Sequence, residues 1–290
     1  MMEKDFTPYI AQAERLRVLG ANVTKDGELI FRWRSEGECR RNIYSATKSF
    51  TACAMGFAVQ EGLIRLDEKL TDAFADDLPQ SIGENLQRAV VRDLLTMRLG
   101  QPHGFLMGDQ RPFYAEDDWT KLSLAQPFDD APGERFVYNN VGPYLAGILI
   151  QRRSGCDLVQ YLTPRLFAPL GVKRPTWECD PLGHTFGAGG LFLTLTELHR
   201  FGLFCLNRGA WNGKQLLDPA WIDACAAPQD GEHYGYLFWR GEFNSFRADG
   251  KYGQLSVILP EKNAVVTVVS ECRDGEGLTQ MIHQIIERHL

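Results

Sequence analysis

Across residues 3–19 the apolar positions Phe6, Ile10, Ala13, Leu16 and Leu19 recur every three or four residues. That is the repeat of one face of an α-helix, so the segment reads as amphipathic and helical. Two short extended runs follow, 21–24 and 29–34, joined by Lys25-Asp26-Gly27. Asp-Gly between apolar runs predicts a hairpin. Residues 47–61 are alanine-rich and apolar on most sides, which predicts a buried helix closed by Gly62. Further helices are expected over 92–97, 141–153, 158–166, 196–207 and 219–226. The longest loop, 100–132, is long enough to be functional or to hold short helices of its own.

The period then changes. Segments 234–240, 242–248, 253–259 and 265–270 read as strands, separated by Gly241, by Asp249-Gly250 and by residues 260–263. A last helix is expected over 278–289. Adjacent strands joined by tight turns make an antiparallel sheet. The strand regions at the two ends of the chain can form one sheet, with both terminal helices on one face. The expected fold is α+β: an antiparallel sheet flanked by the N- and C-terminal helices, with an all-helical lobe inserted. Residues 1–60 and 231–290 would form the sheet lobe and 61–230 the helical lobe, with the active site between them.

Composition narrows the functional classes. The 290 residues are 44% hydrophobic and 23% charged, the balance of a soluble globular chain. A net charge of −6 argues against a nucleic-acid partner, which calls for a basic face. The apolar runs 144–150 and 264–269 fall far short of the ~20 residues of a membrane span. The N-terminus has no basic segment followed by an apolar one, so no secretory signal is visible. Seven scattered cysteines without a CxxC pair read as reduced thiols, which points to a cytoplasmic protein.

The chemistry starts at Ser45-Ala-Thr-Lys48, at the opening of the buried helix. Three residues turn a helix by about 300°, so Lys48 lies nearly above Ser45. Burial penalises the charged amine, and a second cation nearby would lower its proton affinity further. A neutral Lys48 can take the Ser45 proton and make the hydroxyl a nucleophile. Backbone N–H groups at the helix start would receive an oxyanion. Alone, the same residues also fit a serine N-cap followed by an ordinary lysine. Tyr138-Asn139-Asn140 is the one Tyr-x-Asn in the chain. A phenol of depressed pKa there could relay a proton, and the Asn140 amide could fix a lysine and a substrate carbonyl. The plainer reading is a loop tyrosine with Asn140 as N-cap. Lys251-Tyr252-Gly253 stands at the entry of an expected strand, where Gly253 would admit substrate and the Gln254 N–H would be a second oxyanion donor. A Lys-x-Gly by itself is uninformative, since Lys25-Asp26-Gly27 matches it too.

Taken in order, Ser-x-x-Lys, Tyr-x-Asn and Lys-x-Gly resemble the motifs of the penicillin-recognising serine hydrolases. These include class C β-lactamases, D-alanyl-D-alanine peptidases and family VIII-type esterases. Segments 43–51 (IYSATKSFT), 93–97 (DLLTM), 133–144 (GERFVYNNVGPY), 166–171 (LFAPLG) and 187–191 (GAGGL) are similar to that family as well, so the resemblance runs from about residue 20 to the C-terminus. It implies that Ser45 carries an acyl group, Lys48 and Tyr138 share base and acid work, and Asn140 and Lys251 hold the network. Ser45 and Gln254 would supply the oxyanion N–H groups, no cofactor or metal would be needed, and water would release the acyl group. The family often has Thr or Ser where this chain has Tyr252, which weighs against efficient β-lactam hydrolysis. The expected activity is hydrolysis of a small-molecule ester or amide, with Tyr252, Gly253 and His103 touching substrate. The alternatives are a β-lactamase, a D-amino-acid peptidase, or a sensor that is acylated without turning over.

Overall fold

The computed structural model describes residues 5–229 and 233–290. The first residues of the expected N-terminal helix, Glu3 and Lys4, and the start of segment 231–290 lie outside the described residues. Helix α1 (Thr7–Arg15) ends earlier than its apolar repeat suggests, because Arg17 turns to a positive φ and strand β1 (Val18–Lys25) begins at once. Leu16 still faces the core, but from a turn. Strand β2 (Glu28–Arg34) returns antiparallel through Asp26 (φ +52) and Gly27 (φ +82), two successive left-handed residues of the kind a tight hairpin demands.

Helix α2 (Thr47–Gln60) follows, then α3 (Val141–Ser154) and α4 (Leu195–Leu206). The long loop between α2 and α3 carries short turns over Arg111–Phe113 and Trp119–Leu124. Strands β3 (Trp239–Arg240), β4 (Phe246–Gly250), β5 (Gln254–Leu259) and β6 (Ala264–Ser270) precede the last helix, α5 (Gly275–His289). The sheet order is β2-β1-β6-β5-β4-β3, antiparallel throughout, so the pairing of β1 with β6 joins the two ends of the chain. Phe6, Tyr9 and Ala13 of the N-terminal segment meet Leu278, Met281, Ile282 and Ile285 of α5 over Val23, Val257, Val266 and Val268. One face of the sheet is thereby sealed by both terminal helices, as expected.

Helix α4 covers the opposite face. A Cβ on Gly202 would lie 2.3 Å from Ser256 Oγ and 2.8 Å from Val265 Cγ1, so glycine allows helix and sheet to approach closely. Its neighbour His199 is buried, with Nε2 2.7 Å from Thr24 Oγ1 and Nδ1 2.8 Å from Thr267 Oγ1. Beyond α4, α2 and α3 pack together. Gly147 of α3 brings its backbone against Gly187, and Gly142 brings it against Leu94 O. The fold is a mixed helix and antiparallel-sheet structure, the arrangement that the β-lactamase and transpeptidase-like resemblance implies.

One turn begins two residues later than its sequence suggests. Asp249-Gly250 completes strand β4, and the reversal is made by Lys251, Tyr252 (φ +64) and Gly253 (φ +83). The reason lies outside the hairpin. A Cβ on Gly250 would stand 2.1 Å from Ile43 O and 3.2 Å from Ala46 N, so this glycine is needed where the strand presses against the start of α2. Only Trp239–Arg240 of the expected strand 234–240 and the latter half of 242–248 are extended.

Candidate active site

Ser45 sits in a single 3₁₀ turn, Tyr44–Ala46, that leads into α2. Tyr44 is held at φ +47, with its N–H donated to Asn42 Oδ1 at 2.7 Å. A non-glycine residue in that region stores strain. The main-chain partners of the surrounding segment keep it there. Helix α2 is buried along most of its length, and its polar side chains are satisfied by neighbouring carbonyls: Ser49 Oγ donates to Leu237 O (2.9 Å) and Thr51 Oγ1 to Gly187 O (2.7 Å).

Lys48 lies one turn beyond Ser45 and is 1% exposed. Its Nζ is 3.0 Å from Ser45 Oγ and donates to Ala188 O at 2.7 Å. Burial lowers its pKa from 10.5 to about 7, and the charge of Arg111 adds to the effect. Water cannot solvate the ammonium there, so the free amine is populated near neutrality.

The Tyr138 ring lies 5.1 Å from the Lys48 ammonium and stacks on Trp239 with centroids 5.6 Å apart. Its hydroxyl is under the influence of Ser45. Its pKa is pushed up to about 12, by burial first and then by the carboxylate of Asp249, against the lowering effect of Ser45. This corrects the expectation of a depressed phenol: an apolar pocket with an anion beside it disfavours the phenolate, so the hydroxyl keeps its proton.

Asn139 and Asn140 divide the remaining work. Asn139 Oδ1 accepts the N–H groups of Phe105 and Val141, and its Nδ2 donates to Gln101 Oε1 and His103 O, pinning the long loop to the start of α3. Asn140 Nδ2 donates to Leu106 O at 2.9 Å, while its buried Oδ1 has no protein partner among the described residues. Asn140 is the N-cap position of α3 but makes no side-chain cap bond.

Ser45, Lys48 and Tyr138 are therefore brought together, and the third segment is arranged differently from its expectation. Lys251 is exposed at the hairpin tip, its ammonium 5.0 Å from the centre of the Tyr252 ring. Tyr252 meets Tyr44 edge-on at 5.5 Å, beside the residue that precedes the serine. A Cβ on Gly253 would stand 2.4 Å from both Leu278 Cδ2 and Ser270 Oγ, so this glycine serves close packing rather than the expected approach of substrate. Gln254 is buried at the start of β5 with Nε2 bonded to Ser270 O. The His103 side chain is exposed, and its carbonyl is what the structure uses.

Two residues that the sequence did not single out border the cluster. Arg111, in the long loop, is the cation that acts on Lys48; Asp249, beside Gly250, acts on Tyr138. The sequence carries no periodic or motif signal for Arg111, because only tertiary folding brings its loop over α2. For Asp249 the signal was present but misread, since Asp-Gly usually marks a turn.

A family model described as Beta-lactamase matches residues 6–288. Among curated proteins, Protein flp of Staphylococcus aureus (strain MW2) is 27% identical over 138 residues, covering 47% of this chain and 28% of that protein. Monacolin J acid methylbutanoyltransferase of Aspergillus terreus (strain NIH 2624 / FGSC A1156) is 28% identical over 159 residues, covering 48% of this chain and 38% of that protein. These matches span well under half of the relatives' own lengths. Among solved structures, a putative 6-aminohexanoate-dimer hydrolase from Bacillus anthracis superposes with a TM-score of 0.82 at 20% identity, covering 96% of this chain and 81% of that one. Among the described residues no helix is long and apolar enough to cross a membrane. With a family match spanning nearly the whole chain and a fold that agrees with it, this protein belongs to the Beta-lactamase family.

Proposed function

We propose that the protein is a serine hydrolase that forms an acyl-enzyme on Ser45 and releases a small carboxylic acid from an ester or amide. The observation that carries this reading is the 3.0 Å approach of Lys48 Nζ to Ser45 Oγ, with the amine buried and its pKa lowered to about 7. Neutral Lys48 accepts the serine proton while Oγ bonds to the substrate carbonyl carbon. As the tetrahedral intermediate collapses, the bond to the leaving oxygen or nitrogen breaks. The Tyr138 hydroxyl passes a proton to that atom and recovers one from the Lys48 ammonium. Water then attacks the acyl carbon by the reverse relay, giving the acid and free Ser45.

Two backbone N–H groups would hold the oxyanion: that of Ser45 and, in place of Gln254, that of Lys251. Lys251 directly follows the glycine packed against Ala46 N, whereas Gln254 lies beyond the hairpin turn. Asn140 Oδ1, without a protein partner among the described residues, can accept an N–H from substrate or from Lys48. The similar proteins include one named a hydrolase and one named an acyltransferase, and an acyl-serine serves either outcome.

The test is labelling with a fluorophosphonate probe and turnover of short-chain nitrophenyl esters by the wild type and Ser45→Ala. Labelling and turnover confined to the wild type support the assignment, and equal turnover by both proteins rejects it.

A further inference from the structure

We propose that Arg111 is a positioning residue of this site: fastened to Glu178 and laid over Phe186, its guanidinium holds a positive charge beside Lys48 and keeps that amine ready to take the Ser45 proton. The inference rests on the acyl-serine reading above.

The geometry begins with the segment that receives Lys48. Its Nζ donates to Ala188 O at 2.7 Å. Residues 187–189 are bracketed by two main-chain bonds from Glu178, whose N–H donates to Gly190 O (2.9 Å) and whose carbonyl accepts from Phe186 N–H (2.8 Å). Arg111 closes on this bracket from the long loop. Its Nη1 lies 2.7 Å from Glu178 Oε1, and its guanidinium carbon is 4.4 Å from the centre of the Phe186 ring. The Trp119 ring stands 5.9 Å away on the same loop. The Arg111 side chain is only 18% exposed, and its buried Nε has no partner among the described residues. A planar cation stacked on aromatic faces and tied to one carboxylate is fixed in place, so its field acts constantly on what lies beneath.

The groups facing Lys48 are few. From the turn that leads into its helix there is Ser45; from the segment before α3, the neutral Tyr138 and the uncharged amide of Asn140; from the long loop, Arg111 with its partner Glu178. The 186–190 segment presents only backbone and the Phe186 ring. Strand β4 contributes Asp249, which acts on Tyr138 and is paired to Arg247 at 2.8 Å. Lys251, expected to help hold the network, is exposed at the hairpin tip, where water screens its charge. Burial is the larger cause of the low proton affinity of Lys48, and Arg111 is the charge that adds to it.

The experiment measures the rate of fluorophosphonate labelling of Ser45 against pH for the wild type, Arg111→Met and Arg111→Lys, each checked for folding by circular dichroism. In Arg111→Met the acidic limb of the profile should move upward by about half to one pH unit, while the rate at high pH stays near the wild type. At pH 6 this is a loss of about three- to tenfold, by the same relation. Arg111→Lys keeps the charge and should leave the limb in place. A loss by the same factor at every pH in Arg111→Met assigns the residue a purely structural role and overturns the proposal. So does an equal limb shift in Arg111→Lys, or no change in either variant. If the wild type itself is not labelled, it is the acyl-serine reading that fails.

Discussion

A buried amine weakens the fold that holds it as long as it must carry a charge, and Lys48 gives a measurable case. In the unfolded chain this amine titrates near 10.5, and in the folded protein near 7. Between those values the unfolded chain binds a proton that the folded chain lacks, so wild-type stability rises with pH across that window. Below pH 7 both states are charged and the full penalty is present. The difference 10.5 − 7 = 3.5, at 1.36 kcal/mol for each pKa unit, puts that penalty at about 5 kcal/mol. At pH 9 the remainder is about 2 kcal/mol, and above 10.5 it is gone.

Lys48→Met keeps much of the side-chain volume and removes the charge. It also leaves Ala188 O without its buried donor, a cost of about 1–3 kcal/mol. The net expectation is a variant more stable than wild type by about 2–4 kcal/mol at pH 6, with that advantage shrinking by about 3 kcal/mol by pH 9. Denaturant titrations of both proteins at pH 6, 7.5 and 9 read this directly. Ser45 labelling should fall by about 10²-fold or more in the same variant, the scale of lost general-base help. A stability gap independent of pH would refute the reasoning, because it would mean that Lys48 titrates alike in the folded and unfolded chains.

Other perturbations probe separate links. Gly250→Ala should slow Ser45 labelling by at least about tenfold and reduce stability by about 1–3 kcal/mol, because its Cβ would stand 2.1 Å from Ile43 O and push on the nucleophile turn; full activity would show that β4 does not buttress that turn. Lys251→Ala should change stability by less than about 0.5 kcal/mol and leave the labelling rate nearly untouched, since its exposed side chain is screened by water. His199, buried between Thr24 and Thr267, has its pKa lowered from 6.5 to about 4 by burial and by the charge of Arg32. The unfolded chain therefore takes up a proton that the folded chain refuses as pH falls from 6.5 to 4, at a loss of up to about 3 kcal/mol. Denaturant midpoints of His199→Gln should lack that part of the acid sensitivity.

What could be read from the sequence was whatever is written in local repeats. Helix α2 and its closure at Gly62 (φ +72) follow from apolar composition and one glycine, and the β1–β2 hairpin follows from Asp26-Gly27. The pairing of the two chain ends in one sheet followed from the order of elements alone. The Ser45–Lys48 approach was legible because three residues on a helix fix two side chains on one face whatever surrounds them. The third segment was not legible in the same way. Asp249-Gly250 carries a turn signal, yet Gly250 is spent on a contact with Ile43 and Ala46 that no local rule contains. The displaced turn sends the Lys251 side chain to solvent, so its charge cannot serve Lys48 from there.

That displacement changes the electrostatic logic of the site. A base made from lysine needs burial, and it gains from a fixed cation that is not itself solvated. The hairpin offers a lysine in water, whereas the long loop offers an arginine under two aromatic rings with one carboxylate partner. Arginine holds its charge at any working pH and stacks flat, so it can stand near a second basic group without losing its proton to it. Tyr138 is tuned the opposite way: Asp249 and burial hold its phenol protonated, while burial and Arg111 favour the Lys48 amine as free base. Two neighbours of one hydroxyl are thus pushed apart in proton affinity, by burial first and then by an anion beside one and a cation beside the other. On the acyl-serine mechanism proposed above, that separation would make Lys48 the proton acceptor and Tyr138 the donor.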